Sequence, residues 1–397
     1  MKLQMGRCDY PLHSNRESLL SLLKACTKSR DMKTGQEIHG RIVRMGLLKM
    51  DPFIGTSLVN MYAKCGSLSK ARSVLHELPA RDVVSWMAII AGYVQHGQPE
   101  EALYCFHIMQ LDDGVSPDAI TFVCILKACG KKKDLSRGSN VHADIMKRGG
   151  LQCSPHIGRS LVSMYVKCGA LGKAEQVHEE LSIRDVASWS ALIAGYTEQG
   201  QGQAAMHCFE RMQNEGVIAD TITFACVLKA CGDIGAIKMG EQIHGEIASK
   251  KLLGKPTILS CALVDMYAKC GELHKAQSVF SNLLVRDVIS WNALIEGYIQ
   301  HGQDADALKC FEHMQNDGLS PNAVTFTCAV KACGCMRAID KGKQIHNEII
   351  NRGLLKNNIV LGTSLIDMYA KCGVLTKAQK VLDELPNRNE VSWSALI

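Results

Sequence analysis

Cysteine, histidine and carboxylate side chains are the groups that could do chemistry in this 397-residue chain, and their spacing decides whether they do. His178-Glu179-Glu180 has the H-x-E form in which a histidine holds zinc and a glutamate moves protons, but such a site also needs a C-x-x-C pair. No C-x-x-C occurs in the sequence, and Cys333 with Cys335 forms C-x-C instead. The positions equivalent to His178 are His76, Phe280 and Leu382, so the triplet marks a repeated helix position and a zinc site is not expected. His39, His142, His244 and His346 each follow Ile or Val about a hundred residues apart. Copies so far apart cannot converge on one metal and read as buried, hydrogen-bonded packing residues.

Fourteen of the 18 cysteines recur in the same way. They stand in KAC (Cys26, Cys129, Cys231, Cys333), in YAKCG or YVKCG (Cys65, Cys168, Cys270, Cys372), before Phe (Cys105, Cys208, Cys310), and at Cys124, Cys226 and Cys328. Without a secretory signal they read as small, reduced packing residues. A Walker loop, a Rossmann fingerprint and a G-x-S-x-G elbow are all missing, so neither a cofactor nor a catalytic centre is expected.

What positions these residues is an array. A Ser-Trp pair followed by an apolar run begins at Ser85, Ser188, Ser290 and Ser392, with periods of 103, 102 and 102 residues. A fixed period of this kind means one structural unit stacked on copies of itself. Each period splits into three similar units of about 35, 36 and 31 residues. In the unit at 186–220, Trp189, Leu192, Ile193 and Tyr196 fall at helical spacing, Gln199-Gly200-Gln201 breaks the helix, and a second stripe runs through Ala205, Cys208, Phe209 and Met212. Tiling this helix-turn-helix pattern predicts units at 16–51, 52–82, 83–118, 119–154, 155–185, 186–220, 221–256, 257–287, 288–322, 323–358 and 359–389, eleven in all. Residues 1–15 form a short N-terminal segment expected to be poorly ordered, and 390–397 begin a twelfth unit. One additional residue near Leu111 to Asp113 accounts for the period of 103. Ending inside a first helix, without a polar capping helix, the chain reads as a fragment.

Hydrophobic content of 47% is ample for a continuous core, and 45 Lys plus Arg against 39 Asp plus Glu permits an anionic partner without demanding one. No run approaches the eighteen or so apolar residues of a membrane span, and the first fifteen residues carry no clear transit peptide.

The units resemble pentatricopeptide repeats of the plant PLS class, in which long, short and ordinary motifs alternate. MYAKCG or MYVKCG from Met61, Met164, Met266 and Met368, RDV or RNEV before each Ser-Trp pair, and LKAC or VKAC followed by G-x-x-(I/V)-H carry the resemblance, which covers 16–397. It implies an all-α fold, a right-handed superhelical solenoid whose first helices line the concave face. It also implies single-stranded RNA binding at one nucleotide per unit, 5′ to 3′ from the N-terminus, in a mitochondrion or chloroplast. The role implied is target recognition for C-to-U editing, with catalysis supplied by a domain beyond this chain or by a deaminase-domain protein in trans.

In such repeats the fifth and last residues of a unit read the base and the second packs against it. The resemblance therefore assigns Thr56 with Asp82 and Ser190 with Asp220 to G, Asn292 with Asn322 to C over U, and Thr363 with Asn389 to A. Met87 with Asp118, Arg159 with Asp185, and Cys261 with Asp287 depart from the usual pairs. The long units follow the pattern poorly and are expected to act mainly as spacers. The packing positions are Phe53, Val84, His156, Ala187, Ile258, Ile289 and Val360. Lys64, Lys167, Lys269 and Lys371 end the first helix of each short unit, where they suit phosphate contact and also the helix dipole. The alternative reading is a helical scaffold that grips protein segments, and an intact enzyme is the weakest reading of all.

Overall fold

The computed structural model describes residues 10–149, 154–252, 258–283, 285–385, 388 and 390–395. Among these residues the chain is entirely helical, with 24 α-helices and a 3-10 turn at Leu354–Asn357. It divides into two compact units, Met1–Gly195 and Tyr196–Ile397, and the division falls inside the helix Val186–Glu198.

Local sequence fixes each helical pair. The helix Val83–Gln95 is opened by Asp82, whose side chain accepts from the Ser85 backbone while the Ser85 hydroxyl accepts from the Asp82 backbone. It is closed at Gly97, whose φ of 75° suits a residue without a Cβ. The chain then reverses into Pro99–Leu111, with Pro at the first helical position.

In the first unit, Tyr10–Ser29, Pro52–Lys64, Val83–Gln95, Ala119–Lys132 and Pro155–Lys167 pack side by side in chain order as one layer. Met32–Arg44, Leu68–Glu77, Pro99–Leu111, Leu135–Lys147 and Leu171–Glu179 lie on them as a second. In the second unit, Thr221–Ile234, Ile258–Lys269, Val288–Gln300, Ala323–Cys335 and Ile359–Lys371 make the same first layer. The first helix begins at Tyr10, ahead of the unit start read at Arg16, and residues 1–9 lie outside the described residues.

Junctions between successive helical pairs are of three kinds, each with its own ring pair. Phe106–Phe122, Phe209–Phe224 and Phe311–Phe326 meet at centroid separations of 6.3, 6.2 and 6.0 Å. His39–Tyr62, His142–Tyr165, His244–Tyr267 and His346–Tyr369 meet edge to face, with Nδ1 2.8–2.9 Å from the tyrosine hydroxyl. His178–Trp189 and Phe280–Trp291 make the third kind, at 4.3 and 4.5 Å. His178 of the H-x-E triplet is thus a core residue.

The additional residue of the 83–118 unit lies where the sequence placed it, between the helix end at Leu111 and Gly114. Asp113 there accepts from Trp86 Nε1 at 2.7 Å and from the Arg81 guanidinium at 2.7 Å.

Candidate functional site

Where the last residue of a unit is among the described residues, it also caps the N-terminus of the next first helix. Asp82, Asp118, Asp185, Asp220 and Asp287 accept through Oδ1 from the backbone of Ser85, Thr121, Ser188, Thr223 and Ser290 at 2.7–3.0 Å. Asn322 does the same with Thr325 at 3.0 Å. Capping ties up one oxygen of each carboxylate and leaves Oδ2 as a second acceptor. Base reading was the only role sequence reasoning gave these residues. The signal for the cap was present, since Asp or Asn stands three residues before Ser or Thr and ahead of an apolar run at every one.

The cap arrangement brings fifth and last residues together. Arg159 donates to Asp185 Oδ2 at 3.1 Å, with both side chains 36% exposed. The Cys261 thiol lies 3.8 Å from Asp287 Oδ1. Burial, then the Asp287 charge, raises that thiol to about 11, so it stays neutral and serves as a weak donor. Asn292 donates to Asn322 Oδ1 at 3.3 Å and accepts from the Thr325 hydroxyl at 2.7 Å. Thr56 and Met87 are half-buried, Asp82 is exposed and Asp118 half-buried. The buried Ser190 hydroxyl donates back to Val186 O at 2.6 Å within its own helix. Thr363 is half-buried, and its companion Asn389 lies outside the described residues.

Second residues of the units stand at the exposed start of their helices. Phe53, Val84, Ile258, Ile289 and Val360 are 48–69% exposed, His156 is exposed and Ala187 half-buried. Ile120, Ile222 and Val324, the matching residues of the long units, are exposed to the same degree and were not singled out from sequence. They follow Asp118, Asp220 and Asn322 by two positions, a spacing that would have revealed them. One cleft of about 270 Å³ is lined by Ile258, Ile289, Cys261 and Asp287. Another, also of about 270 Å³, is lined by Ile120, His156, Val123 and Ser154. The 119–154 unit, read as a spacer, therefore has the same cleft as a short unit.

The four lysines differ in their surroundings. Lys64 donates to Gln95 Oε1 at 3.0 Å, and with Lys167 it lines a cleft of about 490 Å³. Lys269 pairs with Asp233 at 2.9 Å and Asp265 at 3.0 Å. Burial alone would lower the Lys269 amine, but the hydrogen bonds it donates to both carboxylates hold it above its ordinary value. Lys371 pairs with Asp367 at 2.8 Å and is raised by that bond.

Among the described residues no group of three or more His, Cys, Asp and Glu side chains could hold a metal, and no helix is long and apolar enough to cross a membrane.

A model of the PPR repeat family matches residues 81–131, 184–233 and 286–335, and a model of the single PPR repeat matches 56–83, 260–288 and 363–389. A chloroplastic pentatricopeptide repeat-containing protein of Arabidopsis thaliana is 34% identical over 98% of this chain and 63% of its own length. A mitochondrial one from the same plant is 35% identical over 94% of this chain and 54% of its own. This chain thus spans somewhat over half the length of these relatives. The solved structure of the pentatricopeptide repeat protein PPR10 from maize superimposes with a TM-score of 0.66 over 95% of this chain and 60% of that one, at 18% identity. PPR10 in complex with an 18-nt psaJ RNA element gives 0.71 over 91% and 53%, again at 18% identity. These likenesses establish the fold as a solenoid of helical repeats.

Proposed function

This chain belongs to the pentatricopeptide repeat family, and we propose that its first helices bind single-stranded RNA at one base per repeat. The observation that carries the reading is the cleft between Ile258 and Ile289, with Cys261 and Asp287 in its lining. A flat base fits between two apolar side chains, and the polar pair then faces its hydrogen-bonding edge. Aliphatic walls contribute less than the 1–3 kcal/mol per base that an aromatic platform supplies. Affinity must then accumulate over many repeats.

Base assignment follows the fifth-and-last pairs. A carboxylate only accepts, so the free Oδ2 of Asp82 and of Asp220 suits the donors of a guanine edge. Asn292 with Asn322 takes a pyrimidine, C over U, and Thr363 with Asn389 takes A. The strand runs 5′ to 3′ from the N-terminal repeat. The alternation of unit lengths supports a PLS-type protein. The chloroplastic and mitochondrial relatives support work in an organelle. Within that setting the reading is target recognition for C-to-U editing, with the deaminase provided by another domain or a partner.

Fluorescence anisotropy of the chain against single-stranded RNAs carrying G, G, pyrimidine and A at the second, sixth, ninth and eleventh repeat positions tests this, with scrambled RNA and DNA as controls. Tighter binding of the designed RNA is expected, and Thr363→Asn with Asn389→Asp should move preference at one nucleotide from A towards U. Absence of binding to every RNA would sink the reading in favour of a protein-binding scaffold.

A further inference from the structure

The two units differ in how they surround equivalent lysines. In the first, the cleft of about 490 Å³ between first helices is lined by Lys64, Lys127, Lys131 and Lys167 together with Arg159, and no carboxylate lines it. Arg159 is already paired with Asp185, and the recorded partners of Lys64 and Lys131 are neutral, Gln95 Oε1 at 3.0 Å and Val94 O at 2.8 Å. In the second unit most of the same places carry acid. Ser163 of the first corresponds to Asp265 and Asp367, Lys131 to Asp233 and Cys335, and Ala91 to Glu296. Asp233, Asp265 and Asp367 are the partners of Lys269 and Lys371.

A helix dipole explains a lysine at each of these ends equally well in both units, so it cannot explain the difference. Like charges crowded in one cleft repel one another. An uncompensated cluster is relieved by a bound anion, whereas a lysine held by its own carboxylate must break that bond first.

We infer that RNA is held by its phosphates chiefly in the first unit, in the Lys64–Lys127–Lys131–Lys167 cleft, while the second unit contributes base contacts with little charge neutralisation. This rests on the RNA-binding reading. The first unit then acts as an anchor of low sequence preference and the second as the more selective reader.

The test is a salt titration of RNA binding by the full chain and by two charge-matched variants, Lys64→Gln with Lys167→Gln and Lys269→Gln with Lys371→Gln. Each phosphate contact on a single strand contributes about −0.7 to the slope of log K against log salt. The first variant should flatten the slope by about 1.4 and weaken binding roughly tenfold near 0.15 M salt. The second should leave both within error. Asp233→Asn and Asp265→Asn together with Asp367→Asn, which releases Lys269 and Lys371, should steepen the slope. Unchanged melting curves for all variants exclude misfolding as the cause. Equal flattening by the two lysine variants, or no steepening from the aspartate variant, overturns this inference and leaves RNA binding intact. A wild-type chain that binds no RNA overturns both.

Discussion

The two units share a frame and differ in what the frame presents. His–Tyr, Phe–Phe and aromatic–Trp junctions recur in each. On the exposed side of the first helices, one unit carries Arg159–Asp185 and the other carries Cys261–Asp287 and Asn292–Asn322. The lesson is that packing holds one set of positions constant, because a close-packed core tolerates little change in shape. Positions on the open side are free to carry information.

Breaking the shared frame should therefore cost the same in either unit. Phe106→Ala and Phe311→Ala each remove a buried ring and are expected to lose about 3–5 kcal/mol, read from urea denaturation followed by circular dichroism. A loss in one unit only would show that the junctions are not equivalent.

A feature peculiar to the first unit should cost only there. Asp113→Ala leaves the Trp86 indole N–H buried without its acceptor and is expected to cost about 1–3 kcal/mol. Its counterpart Asp317 makes only a 3.6 Å ion pair with Arg286, both exposed, and Asp317→Ala should stay below about 0.5 kcal/mol.

The caps separate structure from reading. Asp82→Ala should lose about 1 kcal/mol of stability together with its base preference, whereas Asp82→Asn keeps a capping side chain and should change base preference alone. Paired melting and anisotropy measurements distinguish the two. If Asp82→Asn leaves the preference unchanged, capping is the whole role of this residue.

Acid should weaken both units gradually and alike. Burial lowers the pKa of His39 and His142 in the first unit and of His244 and His346 in the second. The unfolded chain takes up protons at these sites near the ordinary value of about 6.5, before the folded chain does. Stability is therefore level above about pH 7 and falls as pH drops through and below 6.5. Melting temperatures at pH 7.5 and 5.5 should show the drop, and replacing all four histidines with Gln should shrink it.

Much of this was legible in the residues themselves. The Ser-Trp period located the helical pairs, and the odd period of 103 placed one additional residue near Leu111 to Asp113. The histidines were readable as packing residues because each follows an aliphatic residue in a second helix and recurs about a hundred residues apart, too far to share one metal. Less legible was what touches what across repeats. Arg159 and Asp185 are 26 positions apart, and Lys269 meets Asp233 across 36, contacts that exist only once helices are stacked. Asp265 and Asp367 were different, for each stands four residues before a lysine on one helix, a pairing visible from spacing alone. The capping role went unread because a base-reading assignment already occupied those residues.

The three kinds of junction have a consequence for how such a chain can change length. A pair ending in His346 fits a pair beginning with the Tyr369 helix, and one ending in Phe311 fits one beginning with the Phe326 helix. Deleting a single pair would set a phenylalanine surface against a face shaped for histidine. Deleting three consecutive pairs would restore every match. The array is thus keyed like a coded coupling, and it lengthens or shortens cheaply only in steps of three.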